Sequence, residues 1–312
     1  MSIWVSALLF AVGVFLVVKG GDIFVDAASW IARAFGIPSF IIGATIVSVA
    51  TTLPEMIVSI IAAVEGKVDM AIGNAVGSVT ANTGLILGIA MLFMLIPTAR
   101  KAFWKQISLL AAAAAVLTVA CLGGSLHPIG SILLILIFAA FVFLNLKTAK
   151  EDMDSPEELK KERKDIIKNL LLFVLGAGCI VVGSQLLVNC GGDIALFFGV
   201  PERIIAVTLV AVGTSLPELV TTVTAIAKKE SSLSIGNLIG ANIIDLTLIL
   251  PICSLVSGQA LPVSQQSLAI DIPVCLGITL IAVVPLLVRQ KSSKVQGIVL
   301  LLAYAAYLVC IL

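Results

Sequence analysis

Apolar residues fall into ten runs along this chain, roughly 2–20, 38–64, 69–97, 105–124, 128–147, 167–189, 201–227, 232–257, 268–288 and 295–312, bounded by glycine, proline or charge. About 20 helical residues cross a hydrocarbon core roughly 30 Å thick, so each run predicts a membrane-spanning helix. The first and sixth can continue as amphipathic helix towards Ala34 and Phe197. Between the fifth and sixth runs, Lys150 to Lys168 (KEDMDSPEELKKERKDIIK) is the only stretch that reads as water-exposed throughout, and it marks the hinge between two halves. Its acids lack the DxDxDG spacing and terminal glutamate of an EF-hand loop, so no regulatory calcium site is assigned there.

Composition agrees with this reading. With 60% hydrophobic and 12% charged residues, the chain is expected to be a polytopic membrane protein and not a soluble one. The first basic residue, Lys19, follows the first apolar run, which therefore predicts a retained span and not a cleaved signal peptide. The six cysteines form no CxxC or Cys/His cluster and read as small apolar residues. If the N-terminus is outside, 17 of the 19 Lys and Arg residues fall on the cytoplasmic side, and only Lys67 and Arg203 fall outside. The asymmetry holds loop by loop and supports ten spans, both termini outside and a cytoplasmic linker at 149–166.

Two apolar runs carry an acid where an unpaired charge would cost at least about 2.5 kcal/mol. Gly43 to Glu55 reads GATIVSVATTLPE and recurs from Ala206 to Glu218 as AVTLVAVGTSLPE. An offset of 163 residues (218 − 55) also aligns Pro38 with Pro201, Gly73, Asn74 and Gly77 with Gly236, Asn237 and Gly240, and Asn82 with Asp245. Five spans per half is an odd number, so the second half must enter the membrane upside down. The predicted fold is an all-α integral membrane protein of ten transmembrane helices in two inverted five-helix repeats, 1–148 and 167–312. In inverted-repeat transporters substrate binds near the midplane between the repeats, beside interrupted helices. Here the proline before each glutamate is the expected interruption, since it cannot bond the carbonyl four residues back, Ala50 or Gly213. GNAVG and GNLIG are expected to let helices pack closely.

Around the glutamates stand Thr51, Thr52, Thr214 and Ser215, with Ser78, Asn82 and Asp245 on the neighbouring spans. All are oxygen donors, and no histidine or thiolate is among them, which favours hard cations over zinc, copper or iron. Two carboxylates with carbonyls suit Ca²⁺, which takes six to eight oxygens in flexible geometry. Removing the ion would leave two uncompensated charges in low dielectric. Exchange against other cations is then the natural activity.

At these residues the chain resembles the cation/calcium exchanger superfamily, and is most similar to its prokaryotic sodium/calcium exchangers. GTSLPE with GNxxGxN, occurring twice, carries the resemblance. It implies four site-forming helices (second, third, seventh and eighth) and long first and sixth helices that slide across them. It further implies a calcium site of Glu55 and Glu218 with the carbonyls of Thr51 and Thr214. Flanking sodium sites would use Thr52, Ser78, Ser215 and the carbonyls of Ser48 and Ala211, with Asn82 and Asp245 in the central position. The chain departs from the pattern at Ala50 (for glycine), Thr52 (for serine), Ser48 (for alanine) and Ala241 (for the serine paired with Ser78). Ala241 removes a hydroxyl from one sodium site, which leaves the counter-ion and its stoichiometry open.

The expected activity is antiport of Ca²⁺ against Na⁺ across a prokaryotic plasma membrane, by a monomer with no cofactor beyond the transported ions. Proton-coupled and potassium-dependent exchange are the alternatives within this class. A cation channel would repeat its lining around an axis normal to the membrane, which an inverted repeat does not. The lone His127, in the loop SLHP, has no catalytic partner nearby and gives no ground for an enzyme.

Overall fold

The computed structural model describes residues 2–94, 96, 101–152, 163–200, 213–258 and 260–311. Helices follow the apolar runs: α1 Ile3–Phe35, α2 Ser39–Val64, α3 Val68–Phe93, α4 Lys101–Cys121, α5 Pro128–Asp152, α6 Arg163–Phe197, α7 Leu216–Ala227, α8 Ser231–Ser257, α9 Ser267–Arg289 and α10 Lys294–Ile311. Among the described residues nine of these are long and apolar enough to cross a membrane; α7 is shorter and begins after the turn at Thr214–Ser215, and 201–212 lie outside the described residues. A two-residue antiparallel ladder, β1 Ser125–Leu126 with β2 Leu261–Pro262, joins the α4–α5 and α8–α9 loops.

Helix boundaries repeat the sequence offset. α2 ends at Val64 and α7 at Ala227, while α3 begins at Val68 and α8 at Ser231. Each of the latter two loosens into a π-helical stretch at the matched position, Asn82–Ile86 and Asp245–Ile249. Such single-turn widenings are frequent at functional sites.

Inversion is visible where α1 meets its repeat mate α6. Gly13 and Gly20 of α1 are matched at the same offset by Gly176 and Gly183 of α6. A Cβ at Gly20 would stand 2.6 Å from Cys179 Cβ, at Gly176 2.7 Å from Phe24 N, and at Gly183 2.8 Å from Val17 Cγ2. As numbers rise along α1 they fall along α6, so the two helices are antiparallel. Without these glycines the backbones could not approach so closely. Phe24 stacks on Phe173 at 4.6 Å in the same seam. Ion pairs then tie the end of α1 to the α7–α8 turn: Lys228 to Asp26 at 2.7 Å and to Asp22 at 3.6 Å, and Arg33 to Glu230 at 3.2 Å.

The first and sixth helices run on as expected, to Phe35 and Phe197, and the sixth already begins at Arg163; residues 153–162 lie outside the described residues. Two expectations need correction. The third helix stops at Phe93, short of 97, because Met94 turns extended (φ −138°, ψ 154°). Pro54 does not break α2, which runs through it. The irregular turn lies upstream at Gly43–Val47, which is π-helical. Pro54 removes one hydrogen bond, at the Ala50 carbonyl, and the α-helical residues on either side carry the helix through it. In the second copy the described helix begins at Leu216, with Pro217 in its first turn, where a missing N–H costs least.

Candidate ion-binding site

The pairing of α2 with α8 sets the floor of the site. A Cβ at Gly43 would stand 2.2 Å from Leu233 O, at Gly236 2.1 Å from Phe40 O, and at Gly240 2.5 Å from Ala44 O. GNLIG therefore does allow close packing, as its spacing suggests. For GNAVG no close neighbour stands within 4 Å of Gly73 or Gly77 among the described residues.

On this floor α2 places Ser48, Thr51, Thr52 and Glu55 on one buried face, with Glu55 only 1% exposed. From α3 come Ser78 and Asn82, both buried, and α8 contributes Asp245, fully buried. The opposite half contributes Glu218, fully buried, with Ser215 buried and Thr214 half-buried just before α7. Ala211 lies outside the described residues. The carboxyls of Glu55, Glu218 and Asp245 stand within one another's electrostatic reach. Acids from both repeats therefore converge in the interior, and neither glutamate faces lipid.

Hydroxyls bridge the repeats. Thr52 Oγ1 donates to Glu218 Oε1 at 3.3 Å, Thr51 Oγ1 to Asn237 Oδ1 at 3.0 Å, and Ser78 Oγ meets Thr214 Oγ1 at 3.5 Å. Asn242 Nδ2 donates to Oγ1 of Thr83, the residue that follows Asn82, at 2.8 Å. Two contributors were not assigned from the sequence, Asn74 and Asn237. Asn74 Nδ2 donates to the carbonyl of Glu55 at 3.1 Å and to Ser59 Oγ at 2.9 Å, and so holds the glutamate's backbone. Their signal lies in the repeated GN dipeptide, whose glycines alone account for the packing.

Much oxygen in this interior has no protein partner. Both oxygens of Glu55 and of Asp245, Glu218 Oε2, both polar atoms of Asn82 and the Ser215 hydroxyl are buried and unpaired. Buried polar groups are normally hydrogen-bonded, and buried charge must be compensated. Among the described residues no three His, Cys, Asp or Glu side chains stand close enough to hold a metal ion by themselves. A cation here would have to combine carboxylates with hydroxyl, amide and carbonyl oxygens. That mixed oxygen set is chemistry for hard cations.

The chain belongs to the sodium/calcium exchanger protein family, whose model matches residues 5–147 and 168–312. The protein is thus a multi-pass membrane transporter of the cation/calcium exchanger class. Among its relatives, the sodium/calcium exchanger MaX1 of Methanosarcina acetivorans is 31% identical over 98% of each chain. The inner membrane protein YrbG of Escherichia coli is 32% identical over 83% of this chain and 82% of its own. Among solved structures, the sodium-calcium exchanger NCX_Mj soaked with 2.5 mM Na⁺ and 10 mM Sr²⁺ superposes with a TM-score of 0.84 at 28% identity, covering 97% of this chain and 98% of that one.

Proposed function

We propose that the protein is a secondary antiporter that exchanges Ca²⁺ for Na⁺, alternately exposing one midplane site to the two sides of the membrane. The observation that carries this reading is the burial of Glu55 and Glu218, one from each repeat, among unpaired oxygens, with Thr52, one turn before Glu55, donating its hydroxyl to Glu218. Ca²⁺ would be held by these carboxylates with the carbonyls of Thr51 and Thr214. Na⁺ would bind beside it at Thr52, Ser78, Ser215 and the carbonyls of Ser48 and Ala211, with Asn82 and Asp245 between. A single Ca²⁺ neutralises two glutamates, so its departure requires replacement by other cations, and this requirement couples the fluxes.

The 163-residue offset supports a division into two five-helix units, 1–148 and 167–312, joined by a cytoplasmic linker at 149–166, with both termini outside. With that orientation Na⁺ entering down its gradient extrudes Ca²⁺ from the cytoplasm. Names and structures of relatives support the same ion pair. The test is uptake of radiolabelled Ca²⁺ into proteoliposomes loaded with Na⁺, K⁺ or a pH gradient in turn. Uptake driven by internal Na⁺ alone is the expected outcome. Flux indifferent to internal Na⁺ would replace the reading with proton or K⁺ coupling, and flux that needs no counter-cation would indicate a channel.

A further inference from the structure

The two repeats use the turn between their second and third helices differently. In the second repeat the α7–α8 turn reaches α1: Lys228 pairs with Asp26 at 2.7 Å and with Asp22 at 3.6 Å, and Glu230 with Arg33 at 3.2 Å. In the first repeat the matching positions carry the opposite charges, Glu65 for Lys228 and Lys67 for Glu230. These two pair with each other at 2.7 Å, inside their own turn. The helix that could meet them, α6, has Gln185, Asn189 and Leu196 where α1 has Asp22, Asp26 and Arg33. Gln185 donates to Asn189 along that helix at 3.2 Å. Charge therefore joins α1 to the α7–α8 turn, and among the described residues none joins α6 to the α2–α3 turn.

Packing follows the same division. A Cβ on Gly21 of α1 would stand 2.7 Å from Thr224 Oγ1 and 3.1 Å from Val220 Cγ1 of α7. The matching contact would set Ser184 of α6 against Ile61 and Ile57 of α2, yet these isoleucines are 52% and 54% exposed. α1 is thus closed over α7, while α6 leaves the matching face of α2 open. An inverted-repeat transporter passes between its two facing states by rocking one part against the other around the site, and the inversion makes each repeat take the role of its mate. The α1–α7 contact made here is then the one that opens, and the α6–α2 contact the one that closes. Ion pairs fasten the first and cannot form in the second, because α6 offers the charges of the α2–α3 turn only two amides and a leucine.

We propose that Asp22, Asp26 and Arg33 of α1, with Lys228 and Glu230, form a one-sided electrostatic latch that favours the conformation with α1 closed over α7 and is released once in each transport cycle. The inference rests on the alternating-access reading and adds to it a built-in bias between the two states, adjustable by ionic strength. With the proposed orientation the latch lies on the cytoplasmic side, so it favours the state that exposes the site to the exterior.

The experiment is Ca²⁺/Ca²⁺ self-exchange, which needs no counter-ion, followed with radiolabelled Ca²⁺ in right-side-out and inverted membrane vesicles. The half-saturating Ca²⁺ concentration is measured at each face for the wild type, Lys228→Gln, Arg33→Glu and the swapped pair Arg33→Glu/Glu230→Arg. A state that becomes less populated binds with weaker apparent affinity on the side it exposes, and its rival with stronger. Partly exposed pairs contribute little each, so Lys228→Gln and Arg33→Glu should each lower the ratio of cytoplasmic to external half-saturation by about threefold to fivefold. High choline chloride should move the wild type in the same direction, because salt screens exposed charges. The swapped pair should return to within about twofold of wild type. A change in this ratio that is restored by exchanging the two charges is a result that damaged packing would not give. An unchanged ratio in Lys228→Gln or Arg33→Glu, equal shifts at both faces, or a swapped pair no better than Arg33→Glu alone overturns the proposal. Wild-type flux that needs no cation on the opposite side would instead overturn the alternating-access reading, and the two failures are therefore distinguishable.

Discussion

Glu55 and Glu218 are equivalent in sequence and differ in surroundings. Glu218 receives the Thr52 hydroxyl, whereas neither oxygen of Glu55 has a side-chain or backbone donor. Glutamine at either position keeps the volume and removes the charge. A Ca²⁺ ion held by two carboxylates loses one of them in either variant, so Glu55→Gln and Glu218→Gln should each lower Ca²⁺ transport by at least about a hundredfold, about 2.7 kcal/mol of lost ion binding. Size-exclusion profiles and melting temperature should stay near wild type, because the lost charge is not what packs the helices. Normal transport in both variants would mean that the centre lies elsewhere. These residues were legible in the sequence because each is an acid inside an apolar run, duplicated at one offset. The Thr51–Asn237 bond was not legible, since it joins side chains 186 positions apart across two repeats.

Between elements, the closest approaches lie where glycines face a neighbouring backbone. On α6, Gly176 has no room for a side chain, because the Phe24 backbone nitrogen occupies it, whereas Gly178 two residues on has no neighbour within 4 Å among the described residues. Gly176→Val should therefore destabilise the protein by about 1–3 kcal/mol, measured as a lower midpoint of thermal unfolding in detergent. Gly178→Val on the same helix should leave that midpoint near wild type. Helix identity and rough length could be read from hydropathy alone. The continuity of α2 through Pro54 could not, because a proline in an apolar run reads equally as a break or a kink, and neither could the widened turn at Gly43–Val47, which has no one-dimensional signature beyond a glycine and a threonine. Thr45 Oγ1, bonded to Ile41 O at 2.6 Å, sits inside that turn.

At the scale of the whole molecule, the two halves are fastened unequally. The inverted arrangement followed from parity, five spans per half, and the antiparallel α1–α6 seam is its physical counterpart. The fastenings themselves break the symmetry: the α1 ion pairs with Lys228 and Glu230 involve Asp22, Asp26 and Arg33, whose counterparts at the repeat offset are Gln185, Asn189 and Leu196. No periodicity would reveal that difference. It emerges only when charges distant in sequence are seen to meet.

The small ladder between Ser125–Leu126 and Leu261–Pro262 has a consequence for motion. It clasps the α4–α5 loop to the α8–α9 loop, a tie that α1 and α6 do not enter among the described residues. On the proposed exchange reading, the clasped helices are the fixed wall and the α1–α6 pair the travelling one. Cysteines at Ser125 and Pro262, which face each other in register, could be oxidised to a permanent clasp within the span a disulfide allows. Ca²⁺ turnover should then stay within about twofold of the reduced protein, as expected if the stroke belongs to the other wall. A clasp that halts turnover would show that the tie itself has to open.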